Sequence, residues 1–413
     1  MNPLDRREAL CLMGGAAAAG SFAADGANAA PEDLPKNLRP AAADSASLYP
    51  EIERLANARE FSHSFLSGRF RSVDEYRTEG RRVVLEAFGY APPSQAPRAE
   101  VIARHEGREF IREKVLFSTT PHFRVPAYVH IHKNRKGRLP AIVDLHSHGG
   151  MFLFGKEKVI DFGANHPTMV EYHKRNYGGR PTATELARRG YVVITIDAFP
   201  FGERRLIMDE DIKYGWERSK YSVEDVKHLN DKCRRKESTL VKSLIYAGMT
   251  WPGIVAWDDT RTVDYLVTRP EVDPQRIGCC GVSLGGYRSL LLSGLDDRIA
   301  AGCVAGFMST VRPMIQRHID THSFVHFIPE VHGRLDLPDI VALRAPKPLM
   351  VLQCKRDALY PLAGMEESVK KIAAIYAKAG AADAFTARFY DLPHTFNVEM
   401  QEDAFAWFDR HLK

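Results

Sequence analysis

The sequence predicts an α/β fold in which a mostly parallel sheet is covered by helices on both faces. Short apolar runs alternate with helical stretches from about residue 139 onward. These runs lack the alternate polar residues of a half-exposed strand, which favours burial of both faces of the sheet. Buried strands that alternate with helices require crossover connections and strands of common direction. The 413 residues suffice for one large domain of this kind with insertions.

The predicted elements begin with a helical N-terminal extension, which shows helical patterning from Leu48 to Phe88. The bounds of the later elements come from the period of the apolar residues and from flanking Gly and Pro. The predicted strands are Glu109–Ser118, Val125–Lys133, Leu139–His146, Tyr191–Asp197, Ile277–Val282, Ile299–Phe307, Leu349–Cys354 and Phe385–Tyr390. The predicted helices are Thr182–Arg189, Trp257–Thr268, Leu284–Leu295, Ala363–Lys378 and Val398–Leu412.

The chain divides into an export signal over residues 1–29, a linker and helical extension over 30–105, and the α/β domain over 106–413. Two insertions interrupt the α/β domain, at about 202–252 and 308–345. The first insertion is long and charged, so we expect an irregular surface segment. Its basic cluster, Lys232 to Lys236, is interpreted as a solvated face, with an anion-binding site as the alternative.

The N-terminus carries the features of a twin-arginine export signal. Arg6 and Arg7 precede a weakly apolar stretch from Leu10 to Ala24, and Ala27 to Ala29 offer a small-residue cleavage site. This pattern predicts a periplasmic or secreted protein. The alternative is a disordered Ala/Gly-rich tail on a cytoplasmic protein. Removal of the signal leaves five cysteines, an odd number that fits core thiols better than disulfides.

Composition argues against two other kinds of protein. Hydrophobic residues make up 45% and charged residues 26%, which is ordinary for a soluble globular chain. A net charge of +5 over this length is too weak to predict a nucleic-acid partner. The sequence contains no run of 18 apolar residues, so no membrane-spanning helix is expected.

Three histidines of the second insertion recur at helical spacing, and a lid helix with polar contacts is predicted there. They are His318, His322 and His326. Zinc is the alternative, with Asp320 or Glu330 as an oxygen ligand. However, Pro329 should end the helix before Glu330, and Asp320 points away from the histidine face. No metal and no organic cofactor is therefore expected.

The hexapeptide Gly281 to Gly286 places Ser283 between the apolar run Ile277–Val282 and the helical stretch that begins at Leu284. A serine on such a strand-to-helix turn, flanked by glycines that remove colliding Cβ atoms, is typical of a nucleophile elbow. The pattern predicts chemistry at an acyl carbon, with Ser283 as the nucleophile.

Two further side chains follow predicted strands and complete a candidate triad. Asp357 comes just after the strand that ends at Cys354, and His394 just after the strand that ends at Tyr390. In a parallel sheet these positions share one edge with Ser283. A serine needs a base and that base needs a carboxylate, and the order Ser, Asp, His is typical of this arrangement. Asp320 is the competing acid, and Asp357 is preferred because it closely follows a strand.

An acyl transfer also needs donors for the developing oxyanion. One predicted donor is the backbone N–H of Leu284, the residue after the nucleophile. The other is predicted in the loop after the strand Ala141–Leu145, at the N–H of His148, with Gly149 or Gly150 as alternatives.

The segment from about Phe110 to Leu412 resembles α/β-hydrolases of the acetyl xylan esterase and dienelactone hydrolase-like group. Three stretches carry the resemblance: Pro140–Gly150, Asp197–Arg204 and Asp339–Leu349. The first resembles a strand motif that in acetyl xylan esterases often ends His-Gly-Tyr-Gly-Gly, although here Ser147 and His148 replace the Gly and the Tyr. The resemblance implies hydrolysis of carboxylic esters, often acetyl groups on carbohydrates.

Motif and resemblance together predict a serine ester hydrolase that works through an acyl-enzyme on a carbohydrate or small ester. Within enzymes, the alternative is an oligopeptidase-like or dienelactone-type hydrolase. A third possibility is an inactive binding protein on the same scaffold. Retention of Ser283, Asp357 and His394 argues against that last interpretation. No oligomeric state is predicted.

Overall fold

A computed structural model describes residues 48–134, 136–209, 211, 217–315 and 318–413. The export signal over residues 1–29, and the linker up to residue 47, lie outside the described residues. Both therefore stay predictions, as does the division into domains.

The core of the fold is one nine-stranded sheet. Its strands are β1 (Glu100–Glu106), β2 (Phe110–Ser118), β3 (Arg124–His132), β4 (Leu139–Leu145), β5 (Val192–Ile196), β6 (Val272–Val282), β7 (Ile299–Ala305), β8 (Leu349–Cys354) and β9 (Phe385–Tyr390). The spatial order is β1-β2-β3-β5-β4-β6-β7-β8-β9. Five neighbouring pairs, from β5/β4 to β8/β9, are parallel, and the three pairs from β1 to β5 are antiparallel. The mostly parallel sheet is thus confirmed.

Helices cover both faces of the sheet. They are α1 (Tyr49–Ala58), α2 (Val73–Phe88), α3 (Pro167–Tyr177), α4 (Thr182–Arg188), α5 (Val223–Tyr246), α6 (Trp251–Leu266), α7 (Leu284–Leu295), α8 (Leu337–Ala342), α9 (Leu362–Lys378) and α10 (Val398–Leu412). Within the described ranges, none of them combines the length and the hydropathy that a membrane crossing requires.

Strand β8 shows how both faces become buried. Leu349 and Val351 point into one hydrophobic cluster, which includes residues of α7, whereas Met350 and Leu352 point into a second, which includes residues of α10. Successive side chains of a strand face opposite sides, so a continuous apolar run fills two cores. This explains why the run from Leu349 to Cys354 lacks polar alternation.

Two sequence predictions about elements are wrong, and one edge strand was missed. Strand β1 was not predicted, and all seven of its residues are exposed at the sheet edge. The insertion predicted as irregular contains the 24-residue helix α5, whose N-terminus has a capping box between Ser222 and Asp225. The predicted lid helix through the three histidines is replaced by short 3₁₀ turns, Ile319–Thr321 and Phe324–His326.

The lid helix is interrupted because the backbone is extended at His322 and Ser323 (ψ 142° and 146°). The segment is rich in residues whose side chains bond the local backbone, which competes with helix formation. Accordingly, the hydroxyl of Ser323 accepts from the N–H of Val325, and Nδ1 of His322 bonds the carbonyl of His318.

Candidate active site

Ser283 lies on a strained turn between β6 and α7. Its backbone has φ 59° and ψ −123°, a conformation that non-glycine residues rarely adopt. The turn is fixed at both ends, because the N–H of Ser283 donates to Ala305 O (3.0 Å) and its carbonyl accepts from Tyr287 N (2.9 Å). The sequence prediction of a sharp turn at this serine therefore matches the backbone geometry.

Glycine at position 285 brings the end of β4 against this turn. A Cβ atom on Gly285 would lie 1.8 Å from Leu145 O, a distance that no side chain could tolerate. The close approach places the loop that follows Leu145 beside Ser283. The loop residues 147–150 and Ser283 accordingly line the same cavity, of about 550 Å³.

His394 and Asp357, which follow β9 and β8, form a hydrogen-bonded pair in which the carboxylate is buried and the imidazole is partly exposed. Nδ1 of His394 lies 2.6 Å from Oδ2 of Asp357, and the other carboxylate oxygen accepts from the N–H of Leu359 (2.9 Å). The carboxylate only accepts, so Nδ1 carries the proton and Nε2 is left as an acceptor. The Asp357 side chain is 1% exposed and that of His394 is 21% exposed.

His394 also lines the cavity of Ser283, so the structure brings these two predicted residues to one space. The competing acid, Asp320, lines the same cavity, but the carboxylate that contacts the His394 imidazole belongs to Asp357. The preference for the acid that follows a strand agrees with this geometry.

The loop that carries His148 is held from beneath by a buried lysine. Nζ of Lys158 donates to the carbonyls of Ser147 (2.8 Å) and His148 (3.0 Å), and Nδ1 of His146 also donates to Ser147 O (3.0 Å). Nε2 of His146 accepts from the N–H of Ala198 (3.0 Å), which fixes this tautomer. Burial lowers the pKa of Lys158 well below its usual value, and a neutral amine still donates both bonds.

These bonds orient the neighbouring N–H groups. The carbonyl and the N–H of one trans peptide point in opposite directions. Because Lys158 holds the carbonyls of Ser147 and His148, the N–H groups of His148 and Gly149 point away from Lys158. The N–H of Gly150 instead donates to Nδ1 of His148 (3.0 Å). Of the three predicted alternatives, Gly150 has its N–H engaged by a side chain, and His148 and Gly149 remain the candidates.

The side chain of His148 is anchored by helix α5. Its Nε2 donates to Oε1 of Glu237 (3.1 Å), which also accepts from the hydroxyl of Ser323 (3.1 Å). Burial lowers the pKa of His148, and Glu237 partly opposes that shift. The neutral imidazole of His148 therefore connects the loop to α5 through hydrogen bonds.

A family model described as the Abhydrolase family matches residues 48–400. The chain belongs to this family. The α/β-hydrolase fold predicted from the sequence is thereby confirmed, as is the expectation of a hydrolase.

Relatives of this Abhydrolase family member agree with the assignment. YtaP of Bacillus subtilis (strain 168), named provisionally as a hydrolase, is 28% identical over 311 residues, 75% of this chain and 91% of the relative. A Bacteroides fragilis NCTC 9343 structure, described provisionally as an acetyl xylan esterase, has a TM-score of 0.62 at 20% identity over 87% of each chain. A glucuronoyl esterase from Solibacter usitatus has a TM-score of 0.57 at 14% identity, over 85% of this chain and 94% of its own. At these identities the two structures show a shared fold.

Two residues of this family member's site were missed by the sequence analysis. Glu237 lies in the insertion predicted to be irregular, and the capping box at Ser222 is the signal that could have revealed its helix. Lys158 lies in a short 3₁₀ turn, Lys156–Val159, and no motif marks it. In the described part of the chain, no group of three or more His, Cys, Asp or Glu side chains is arranged to hold a metal.

Proposed function

We propose that this chain is a serine carboxylic-ester hydrolase in which Ser283 is the nucleophile, His394 the general base and acid, and Asp357 the residue that orients His394. The observation that carries the proposal is the 2.6 Å bond from His394 to Asp357, together with the cavity that His394 shares with Ser283. This arrangement supplies a base, held in one tautomer, beside a turn serine that lines the same cavity.

The reaction proceeds in two halves. The Oγ of Ser283 attacks the ester carbonyl carbon while its proton passes to Nε2 of His394. The tetrahedral intermediate collapses, the bond to the alcohol oxygen breaks, and His394 returns the proton to that oxygen. Water then attacks the acyl-enzyme with His394 again as base, which releases the acid and restores the Ser283 hydroxyl. Asp357 stabilises the imidazolium in both halves without accepting its proton.

Backbone N–H groups stabilise the oxyanion in this proposal. Leu284 is the first residue of α7, so its N–H has no partner within the helix. The second group comes from the loop held by Lys158, with the N–H of His148 as donor and that of Gly149 beside it. Fixed donors of this kind typically contribute about 10²–10³-fold each to the rate.

The substrate class is supported by the structural relatives. Proteins with this fold include ones described as an acetyl xylan esterase and as glucuronoyl esterases. We therefore place the activity among esters of carbohydrates and small alcohols. No observation in the described residues favours the oligopeptidase-like alternative.

The test is hydrolysis of p-nitrophenyl acetate, acetylated xylan and methyl glucuronate by wild type and by Ser283→Ala. We expect the substitution to reduce kcat by at least about 10³-fold on any ester that is cleaved. Ser289→Ala is the matched control, because Ser289 is a buried serine of α7, the helix that follows Ser283, and its hydroxyl lacks a hydrogen-bond partner among the described residues. Full activity in Ser283→Ala would refute the assignment of the nucleophile.

A further inference from the structure

A second cavity, of about 310 Å³, lies behind the catalytic cavity. The two cavities share a wall made by His322, His326 and Tyr360. Apart from this wall, the lining is mostly apolar, and its side chains include Phe307, Met314, Ile328, Val331 and Leu335. We call this space the apolar chamber.

The shared wall carries buried polar atoms that have no hydrogen-bond partner among the described residues. They are Oη of Tyr360, Nε2 of His322 and both ring nitrogens of His326. Tyr360 is only 3% exposed. A buried polar group without a partner costs stability, and most such groups in proteins are paired. These atoms are enclosed by protein, so the surface that the chamber presents to a ligand is apolar.

The two histidines of the wall are neutral. Burial lowers the pKa of His322, and it lowers the pKa of His326 well below its usual value. A neutral imidazole both donates and accepts a hydrogen bond. The wall therefore carries no charge that would disfavour an apolar group beside it.

The wall lies on the His394 side of the catalytic cavity. The ring of Tyr360 is 6.4 Å from that of His394, and the ring of His322 is 5.0 Å from that of Tyr360, measured between centroids. In the proposed mechanism His394 gives its proton to the departing alcohol oxygen. The alcohol oxygen of the ester therefore lies on the side of this wall, whereas the carbonyl oxygen faces His148 and Leu284.

We infer that the apolar chamber binds the alcohol half of the ester, and that this half contains an apolar ring. The inference rests on the proposed function, and it specifies the class of alcohol in the ester substrate. The volume suffices, since a cavity of about 150 Å³ already holds benzene. The ring packs against the apolar side chains that line the chamber.

The test compares kcat/KM for benzyl acetate with kcat/KM for methyl acetate. In wild type we expect the ratio to favour the benzyl ester by at least tenfold. Ile328→Trp fills the chamber and is expected to lower this ratio at least tenfold, which corresponds to about 1.4 kcal/mol. Val331→Phe fills the chamber from another side and serves if the first variant does not fold. Val223→Trp, at an exposed position of α5, is the matched control and should keep the wild-type ratio.

A second substrate pair tests which half of the ester enters the chamber. Methyl phenylacetate carries the ring on the acid half, so its ratio to methyl acetate should not respond to Ile328→Trp. A ratio that falls for this pair, and not for the benzyl pair, would overturn the assignment of the alcohol half. Unchanged ratios for both pairs would overturn the chamber as a binding site.

Binding of benzyl alcohol, followed by saturation-transfer NMR, separates this inference from the proposed function. Binding to wild type that is lost in Ile328→Trp and kept in Val223→Trp supports the chamber even if no ester is cleaved. Equal binding to all three proteins would refute it. Failure of the catalytic assignment instead shows as ester hydrolysis that survives Ser283→Ala.

Discussion

At the scale of single residues, the imidazole of His394 is positioned by one carboxylate with little freedom of its own. Asp357 is buried, and its two oxygens are occupied by Nδ1 of His394 and the N–H of Leu359. A carboxylate so held accepts from His394 in one orientation and keeps the proton on Nδ1. The role proposed for Asp357 is therefore to fix the tautomer of His394 and then to stabilise its ring when it is charged.

Asp357→Asn should preserve the shape of the site and impair the base. An amide that donates to Nδ1 would leave the proton on Nε2, where it can no longer accept from Ser283. We expect kcat for p-nitrophenyl acetate to fall by about 10³–10⁴-fold. Asp391→Asn is the matched control, because Asp391 is an exposed aspartate near His394 that pairs with Arg356. A kcat for Asp357→Asn within tenfold of wild type would contradict the role of Asp357.

At the scale of elements, the predictions succeed where one apolar pattern decides the structure. The bounds of α7, β8, β9 and α10 agree with the sequence predictions. In α10 the helical stripe from Met400 to Leu412 is buried, and the side chain of Asn397 caps its first turn. Asp357 and His394 were predictable because they follow β8 and β9, and Ser283 because it follows the correctly predicted end of β6 and directly precedes α7.

The predictions fail where tertiary contacts decide the structure. Helix α5 is strongly charged, yet a stripe that includes Val226, Cys233 and Val241 is buried against the rest of the domain. Strand β1 has no buried face and depends on pairing with β2, so it leaves no apolar pattern. Lys158 matters because it donates to the carbonyls of Ser147 and His148. No motif or spacing in the sequence reveals these contacts.

Lys158→Met tests whether the loop after β4 depends on its lysine. Methionine keeps most of the volume but cannot donate to the two carbonyls, so the N–H groups of His148 and Gly149 lose their fixed direction. We expect kcat to fall about 10–100-fold with KM changed less than threefold, since the oxyanion exists only along the reaction path.

The control for this change is Lys174→Met, at an exposed position of α3. Thermal unfolding of both variants separates positioning from stability. If KM rises while kcat is kept, Lys158 supports the fold or substrate binding rather than the oxyanion donors.

At the scale of the whole molecule, the sheet with two buried faces also buries a carboxyl group. Asp144 in β4 lies beneath the catalytic edge, and its Oδ2 accepts from the hydroxyl of Thr182 (2.6 Å). Burial raises the pKa of Asp144 to about 7. An ordinary aspartate in the unfolded chain has a pKa of about 3.9. At pH values between about 4 and about 7, folding is therefore accompanied by uptake of a proton.

This shift predicts how stability depends on pH. The contribution of Asp144 to stability is complete below about pH 4 and is lost as the pH rises toward about 7, because ionisation then favours the unfolded chain. Asp144→Asn removes the titration. We compare the free energy of unfolding of the variant with that of wild type at each pH. The difference, variant minus wild type, should be about 2–3 kcal/mol larger at pH 8 than at pH 5.

Urea unfolding at the two pH values measures the difference, with the exposed Asp231→Asn as the control. A difference between Asp144→Asn and wild type that does not change with pH would show that Asp144 is not protonated in the folded protein.

The whole-molecule arrangement brings the ends of β6, β8 and β9 to one edge of the sheet, and the central claim is that Ser283 at this edge forms the acyl-enzyme. The most direct measurement is intact-protein mass after reaction with a fluorophosphonate, followed by peptide mapping of the adduct. We predict one adduct per folded chain, located on Ser283, with none in Ser283→Ala and normal labelling in Ser289→Ala. Folded wild type that forms no adduct, or an adduct that persists in Ser283→Ala, would contradict the account.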